Sequence, residues 1–144
     1  MEFIEGMPTD KGFSADLFLI ANMDIFQEVI PDPQHLLAIE SVKRGEPFYT
    51  AILFANAASK NGKPDMVYTI TILKPDGTVY SSAKDIAGWK NRPPAVPGLV
   101  HLAAGSLKII IDPEDPSGTY KVMAEIHDNA RGATVRSSRT FTVK

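Results

Sequence analysis

Asp112, Glu114 and Asp115 set three carboxylates within four positions of the stretch DPEDPSGTY. Calcium takes roughly six to eight oxygens, several of them from carboxylates, so this corner, with Asp128 as a fourth acid, could supply part of a site. The D-x-D-x-D-G ladder of a full calcium loop is missing, and Pro113 and Pro116 stiffen the same stretch. A solvated turn is therefore the expectation, and the three acids are weak metal candidates. Trp89, the lone tryptophan, is followed by Lys90, Asn91 and Arg92 and then by a proline-rich run. An indole on such a loop can stack on a sugar ring or anchor a protein partner; it can equally cap the end of a core. Trp89, Lys90, Arg92 and Tyr80 are the candidate binding residues. Tyr49 and Tyr80 complete an aromatic platform only if they share one face.

Catalytic patterns are missing. His35, His101 and His127 lie far apart, without the H-x-H or H-E-x-x-H spacing of a zinc site. Ser106 in AGSLK is not a nucleophile elbow, since G-x-S-x-G does not occur. Glu40, Glu46, Glu114 and Glu125 carry no signature of an opposed carboxylate pair, and no glycine-rich phosphate loop is present. With no cysteine there is no thiolate nucleophile, disulfide or thiolate zinc site. The expectation is a non-enzymatic chain without a cofactor. Arg131, Arg136 and Arg139 could form a cationic strip for an anionic partner, but charged residues also guard exposed strand edges, which is the reading adopted.

The elements that would position these residues are strands. In TYKVMAEIH, Tyr120, Val122, Ala124 and Ile126 share one face, and Lys121, Met123, Glu125 and His127 the other. VYTITIL repeats the pattern with Tyr68, Ile70 and Ile72 inward, and SLKIIID with Leu107, Ile109 and Ile111. FYTAILFAN is apolar on both faces, which suits a central strand or a dimer seam. Lys74–Gly77, KPDG, has the residues of a type I turn and should join VYTITIL to TVYSS; DNARG should join the last two strands. NAASKNGKPD reads as a longer loop around Asn61-Gly62. In the last strand Ser137 and Arg139 fall on the apolar parity, so either a bulge near Ser137 resets the register or the strand's middle leaves the core; the bulge is the expectation.

Two regions are less regular. Leu17, Leu19, Ala21, Met23 and Ile25 alternate, giving a strand within residues 14–30, although a helix capped by Ser14 or Asp24 is an alternative; Pro31 and Pro33 end the run. Residues 88–106 hold Pro93, Pro94, Pro97 and Gly98, and so long a connection is usually functional or mobile. There is no internal repeat.

The segment SLKIIIDPEDPSGTYKVMAEIHD resembles strands E and F of immunoglobulin-like sandwiches, with an acidic corner between them and Gly118, Thr119 and Tyr120 at the spacing of the corner tyrosine. SVKRGEPFYTAILFANA looks like the A′–B lead-in of bacterial immunoglobulin-like and fibronectin type III-like domains. The resemblance covers about residues 37 to 144 and implies an antiparallel sandwich, with Tyr120 hydrogen-bonded to upstream backbone and Gly118 beside it as structural residues. Val122 occupies the place of the second disulfide cysteine, and Tyr68 that of the strand C tryptophan, so an antibody-type domain is not implied.

The chain has 144 residues, 44% of them hydrophobic and 22% charged, with a net charge of −2. That length suits one domain able to bury a core unaided. Scattered Lys and Arg suggest neither nucleic acid nor a membrane surface as partner, and no apolar run approaches membrane-spanning length. The opening residues have no basic and apolar signal-peptide pattern, so an export signal would lie upstream. The resulting expectation is an all-β, immunoglobulin-like sandwich of about seven to nine strands over residues 37–144, with residues 1–36 as an N-terminal extension packed on it. Its role would be binding or structural, in a periplasmic or extracellular bacterial protein, through contacts with a protein partner or a glycan. A carbohydrate-binding module and a small metal-dependent or hydrolytic enzyme are the alternatives.

Overall fold

The computed structural model describes residues 7–22 and 39–144, and these contain strands and turns but no helix. In chain order the strands are β1 (Thr9–Asp10), β2 (Phe13–Ile20), β3 (Ser41–Val42), β4 (Phe48–Ala55), β5 (Ser59–Lys60) and β6 (Lys63–Leu73). They continue with β7 (Val79–Lys90), β8 (His101–Leu102), β9 (Lys108–Ile109), β10 (Gly118–Asp128) and β11 (Ala133–Val143). Nine of the eleven, β3 to β11, fall within 37–144, where seven to nine were expected; β1 and β2 belong to the N-terminal segment, and five of the eleven are two-residue pairings too short to show a period. Residues 23–38, which include Met23, Asp24, Ile25, Pro31, Pro33 and His35 and the expected boundary at 36/37, lie outside the described residues.

Two sheets form. One runs β1–β2–β4–β8 with β9 also paired to β4; the other runs β3–β11–β10–β6–β5 with β7 also paired to β6. They enclose one core, in which Phe13, Leu17, Phe48 and Phe54 of the first sheet meet Tyr68, Ile72, Tyr120, Ile126 and Phe141 of the second. The alternation in β6 and β10 is realised as read: Tyr68, Ile70 and Ile72 are buried, as are Tyr120, Val122, Ala124 and Ile126. Each large side chain so buried contributes about 1.5–3 kcal/mol. The β2 and β4 strands bury their other face too, where Phe18, Ile20, Ala51 and Leu53 gather with Met7 and Val100. That second cluster explains why β4 reads apolar on both sides; β4 is a central strand, between β2 and the β8 and β9 pairings.

The turns follow their chemistry. Gly77 N–H donates to Lys74 O at 2.9 Å and closes the β6–β7 hairpin. Gly132 N–H donates to Asp128 O at 2.8 Å and closes β10–β11. Asn61-Gly62 is tighter than the expected loop. Both residues have positive φ, 55° and 76°, and they form a two-residue hairpin of the primed kind between β5 and β6.

Two expectations fail. The β10–β11 register runs without a slip from Gly118↔Val143 to Asp128↔Ala133, so there is no bulge at Ser137. The middle of β11 leaves the core instead and faces β2. Ser137 Oγ hydrogen-bonds Asp16 Oδ1, Arg139 Nη2 lies 2.9 Å from Asp16 Oδ2, and Arg139 Nε–H donates to Leu17 O at 2.7 Å. A polar clasp, not a shifted register, accommodates those residues. The TVYSS strand, for its part, is only the start of the twelve-residue β7. Its pairing with β6 slips three times, and those slips erase the alternation.

Candidate functional site

The β6–β7 register builds the main surface depression near the two loops that the sequence singled out. Continued without slips from Leu73↔Val79, this hairpin would set Ala87 opposite Asp65; the three slips bring Lys90 there instead. The Asn61-Gly62 turn and the Asn91-Arg92 turn thereby stand side by side. Between them lies a depression of about 670 Å³ whose lining includes Lys60, Lys63, Asp65, Lys90, Arg92 and Pro93. Four cations thus share it with one carboxylate. Lys90 Nζ is 3.4 Å from Asp65 Oδ1, both side chains being about two-fifths exposed. Neither Lys60, Lys63 nor Arg92 forms an ion pair among the described residues.

Trp89 stands behind Arg92 and is not itself among the residues that line the depression. Its ring is half-buried and meets Phe54 edge-on at 5.4 Å and His101 at 5.0 Å. Its Nε1–H donates to Pro93 O at 3.1 Å, and the Arg92 guanidinium stands 4.8 Å over the ring. The indole therefore caps the core and carries Arg92 on its outer side. Lys90 and Arg92 share the depression, while Tyr80 stands at the other end of β7. Tyr49 packs with the apolar cluster on the outer face of β2 and β4. The three aromatics do not share a face.

Tyr80 belongs to the acidic corner. Its hydroxyl donates to Asp115 Oδ2 at 2.7 Å, and the same oxygen accepts the Asp112 N–H at 2.9 Å. Burial, and then the Asp115 carboxylate, push the Tyr80 hydroxyl well above its usual range; the same hydrogen bond holds Asp115 below its ordinary value. Arg44 Nη2 donates to Asp115 O and Ser117 Oγ, each at 2.9 Å. Tyr120 is fully buried, donates to Pro116 O at 2.7 Å, and stacks on Phe141 at 5.1 Å. Gly118 has φ +132°, and a Cβ there would stand 2.8 Å from Pro75 Cγ, so only glycine fits. Asp112 and Glu114 are exposed, and no three acids or histidines among the described residues are grouped as a metal would need.

Asp128 does not join that corner. It sits at the far end of β10, fully buried, where Oδ2 accepts Ala58 N–H at 2.8 Å and faces Arg131 Nε at 3.6 Å. The arginines do not form one strip either. Arg131 also donates to Asn56 O, Arg136 pairs with Glu125 at 3.2 Å, and Arg139 clasps β2. His101 lies in the aromatic cluster, where Nε2 accepts Val96 N–H at 3.2 Å; His127 bridges Glu125 and Thr134 on the outer face of β10.

Sequence reasoning missed Lys60 and Lys63, which stand roughly thirty positions from Lys90 and gather with it only through the slipped register. No family model and no curated protein matches the chain. Among solved structures it is similar to a family 123 glycoside hydrolase from Clostridium perfringens, with 10% identity and a TM-score of 0.51 over 92% of this chain and 27% of that one. The alkylpurine DNA glycosylase AlkC from Pseudomonas fluorescens matches with 12% identity and a TM-score of 0.46 over 90% of this chain and 30% of that one. The superoxide reductase (neelaredoxin) from Ignicoccus hospitalis matches with 10% and 0.42 over 73% and 75%. The chain thus spans less than a third of the glycoside hydrolase and of the glycosylase. At such identities the likeness is of backbone arrangement alone. No helix among the described residues is long and apolar enough to cross a membrane.

Proposed function

We propose that this chain is a non-catalytic binding domain: a rigid immunoglobulin-like sandwich that presents the loops around Asn61 and Trp89 to a protein partner. Several features support the immunoglobulin-like reading. The orders β2–β4–β9 and β3–β11–β10–β6–β7, the parallel pairing of β3 with β11, and the Tyr120 hydrogen bond at the E–F corner are those expected of such a sandwich. The observation that carries the binding role is the meeting of the two loops in one charged depression. Against a sugar platform stands the scattering of Trp89, Tyr49 and Tyr80. Against catalysis stands the placement of His101, His127 and the corner acids, each engaged in a different part of the molecule.

Amide chemical-shift mapping with a panel of acidic, basic and neutral short peptides and oligosaccharides tests this reading. The expected result is that at least one probe shifts amides within residues 60–65 and 89–92 saturably and is recovered unchanged. Shifts confined to the depression of about 440 Å³ on the outer face of β6, β10 and β11, around Thr69, Thr71 and Met123, would overturn it. So would conversion of a probe, or silence with all of them.

A further inference from the structure

We infer that the depression between the Asn61 and Asn91 turns takes an acidic segment of a partner polypeptide, one that carries an apolar residue beside its carboxylates. This rests on the proposed binding role of the two loops and adds the chemistry of the ligand. Charge comes first. The protein as a whole has a net charge of −2, yet Lys60, Lys63, Lys90 and Arg92 converge here against Asp65 alone. A local positive field on an otherwise negative protein steers and holds carboxylates, and it repels cationic partners.

The cations are placed for a ligand rather than for the fold. Lys60 and Lys63 are exposed, without an ion-pair partner among the described residues, at the tip of a hairpin whose turn needs no help from them. Arg92 lies on the Trp89 ring without a carboxylate partner among the described residues; the ring orients its guanidinium while leaving its donors to a second group. Only Lys90 is partly neutralised, by Asp65.

The next turn of chain decides between a peptide and a saccharide. Past Pro93 the same loop exposes Val96 at 51% and Leu99 at 50%, two of the four large hydrophobic side chains most open to water among the described residues. The loop is pinned at Gly98, whose N–H donates to Asn56 Oδ1 at 2.9 Å. Sugars bind aromatic faces, and the one indole here is already covered by Phe54, His101 and Arg92. Neither Val96 nor Leu99 lines the depression, but exposed aliphatic side chains three to six positions past Pro93 on the same loop suit a protein interface that extends beyond the charged rim.

The test uses the whole chain and four probes: a short Glu- and Asp-rich peptide with a central leucine, its Gln and Asn counterpart, a polygalacturonate oligomer, and a single-stranded oligonucleotide. Because Trp89 is the only tryptophan and carries Arg92, its fluorescence reports occupancy alongside the amide shifts of residues 60–65 and 89–92. The acidic peptide is expected to bind saturably, and to bind more weakly as salt rises. The Lys60→Glu/Lys63→Glu variant should weaken it by about tenfold or more. Leu99→Ser should weaken it too. Asp65→Asn, which removes the lone carboxylate, should tighten it, a gain that loss of folding cannot mimic. Equal binding of the uncharged peptide, indifference to Lys60→Glu/Lys63→Glu, or tighter binding of polygalacturonate or oligonucleotide overturns the acidic-peptide assignment and leaves the binding end standing. If none of the four moves those amides, and the wider peptide panel does not either, both fall.

Discussion

The Tyr120 hydroxyl reaches back four residues to Pro116 O from a ring fully out of water, and the Tyr80 ring meets it edge-on at 5.8 Å. Tyr120→Phe keeps the packing but leaves the carbonyl without its donor, and should cost about 1–2 kcal/mol in urea unfolding. Tyr120 was legible in the sequence because glycine, one residue and tyrosine after an acidic corner is a local spacing; its neighbour Tyr80 was not, since β7 brings it there from forty residues upstream. The Tyr80–Asp115 pair has a pH consequence. Asp115 is held below its ordinary 3.8 chiefly by the Tyr80 hydroxyl. A depressed carboxyl stabilises the fold fully above its unfolded value and loses that contribution as pH falls through the folded one. Stability should therefore decline below about pH 4, partly through this group. In Asp115→Asn the acid limb of a plot of urea midpoint against pH should be shallower, and in Tyr80→Phe this group's part of the limb should end nearer the ordinary value, with a smaller total loss. An unchanged limb in both would show that Asp115 is not so coupled.

Between residue and molecule, the informative element is β11. Its ends bury Ala133, Val135, Phe141 and Val143, and its middle turns Ser137 and Arg139 toward β2. Leu17 sits on a stretch of β2 that β1 does not reach, since β1 pairs only with Phe13 and Ser14. Side chains from β11 reach that edge: Arg139 serves Leu17 O and Ser137 serves Leu17 N–H, from which Asp16 of β2 itself also accepts. The clasp joins the sheets and blocks strand addition. Arg139→Met should cost about 2 kcal/mol, below the range for a fully buried pair because Arg139 is 38% exposed while Asp16 is nearly enclosed. The Asp16→Asn/Arg139→Met double variant should cost less than the sum of the two singles, the mark of direct coupling in thermal or urea unfolding. Additive losses would mean the two residues act independently. Periodicity could announce β6 and β10, whose pairing is regular; it could not announce β7, nor tell a bulge in β11 from a polar contact with another strand, because parity records faces and not what lies opposite them.

At the scale of the whole molecule the tyrosine corner and the charged depression are joined by one core. Tyr120 lies near the Leu73 end of β6, and Trp89 is paired with Met66 at the other, a span of roughly 25 Å along the strands. The sequence placed both residues but not their separation, which depends on strand pairing, nor the convergence of Lys60 and Lys63 on Lys90, which depends on three slips in that pairing. The buried residues between the ends form one cluster, from Phe141 and Tyr120 through Ile72 and Ile70 to Tyr68, Met66 and Phe54, with Trp89 packed against it. A continuous core shared by both sheets should unfold in one step. If it does, Tyr120→Phe must shift the urea midpoint read by Trp89 fluorescence as far as the midpoint read by far-ultraviolet circular dichroism, although the substitution lies at the opposite end. A Trp89 midpoint that stayed in place while the circular dichroism midpoint fell would divide the molecule into two cooperative units. The depression beside Trp89 would then rest on local packing around Phe54 and His101, and corner variants would leave its binding untouched. A common shift ties them together, so that a variant weakening the Tyr120 corner should also lower the temperature at which the charged end can bind.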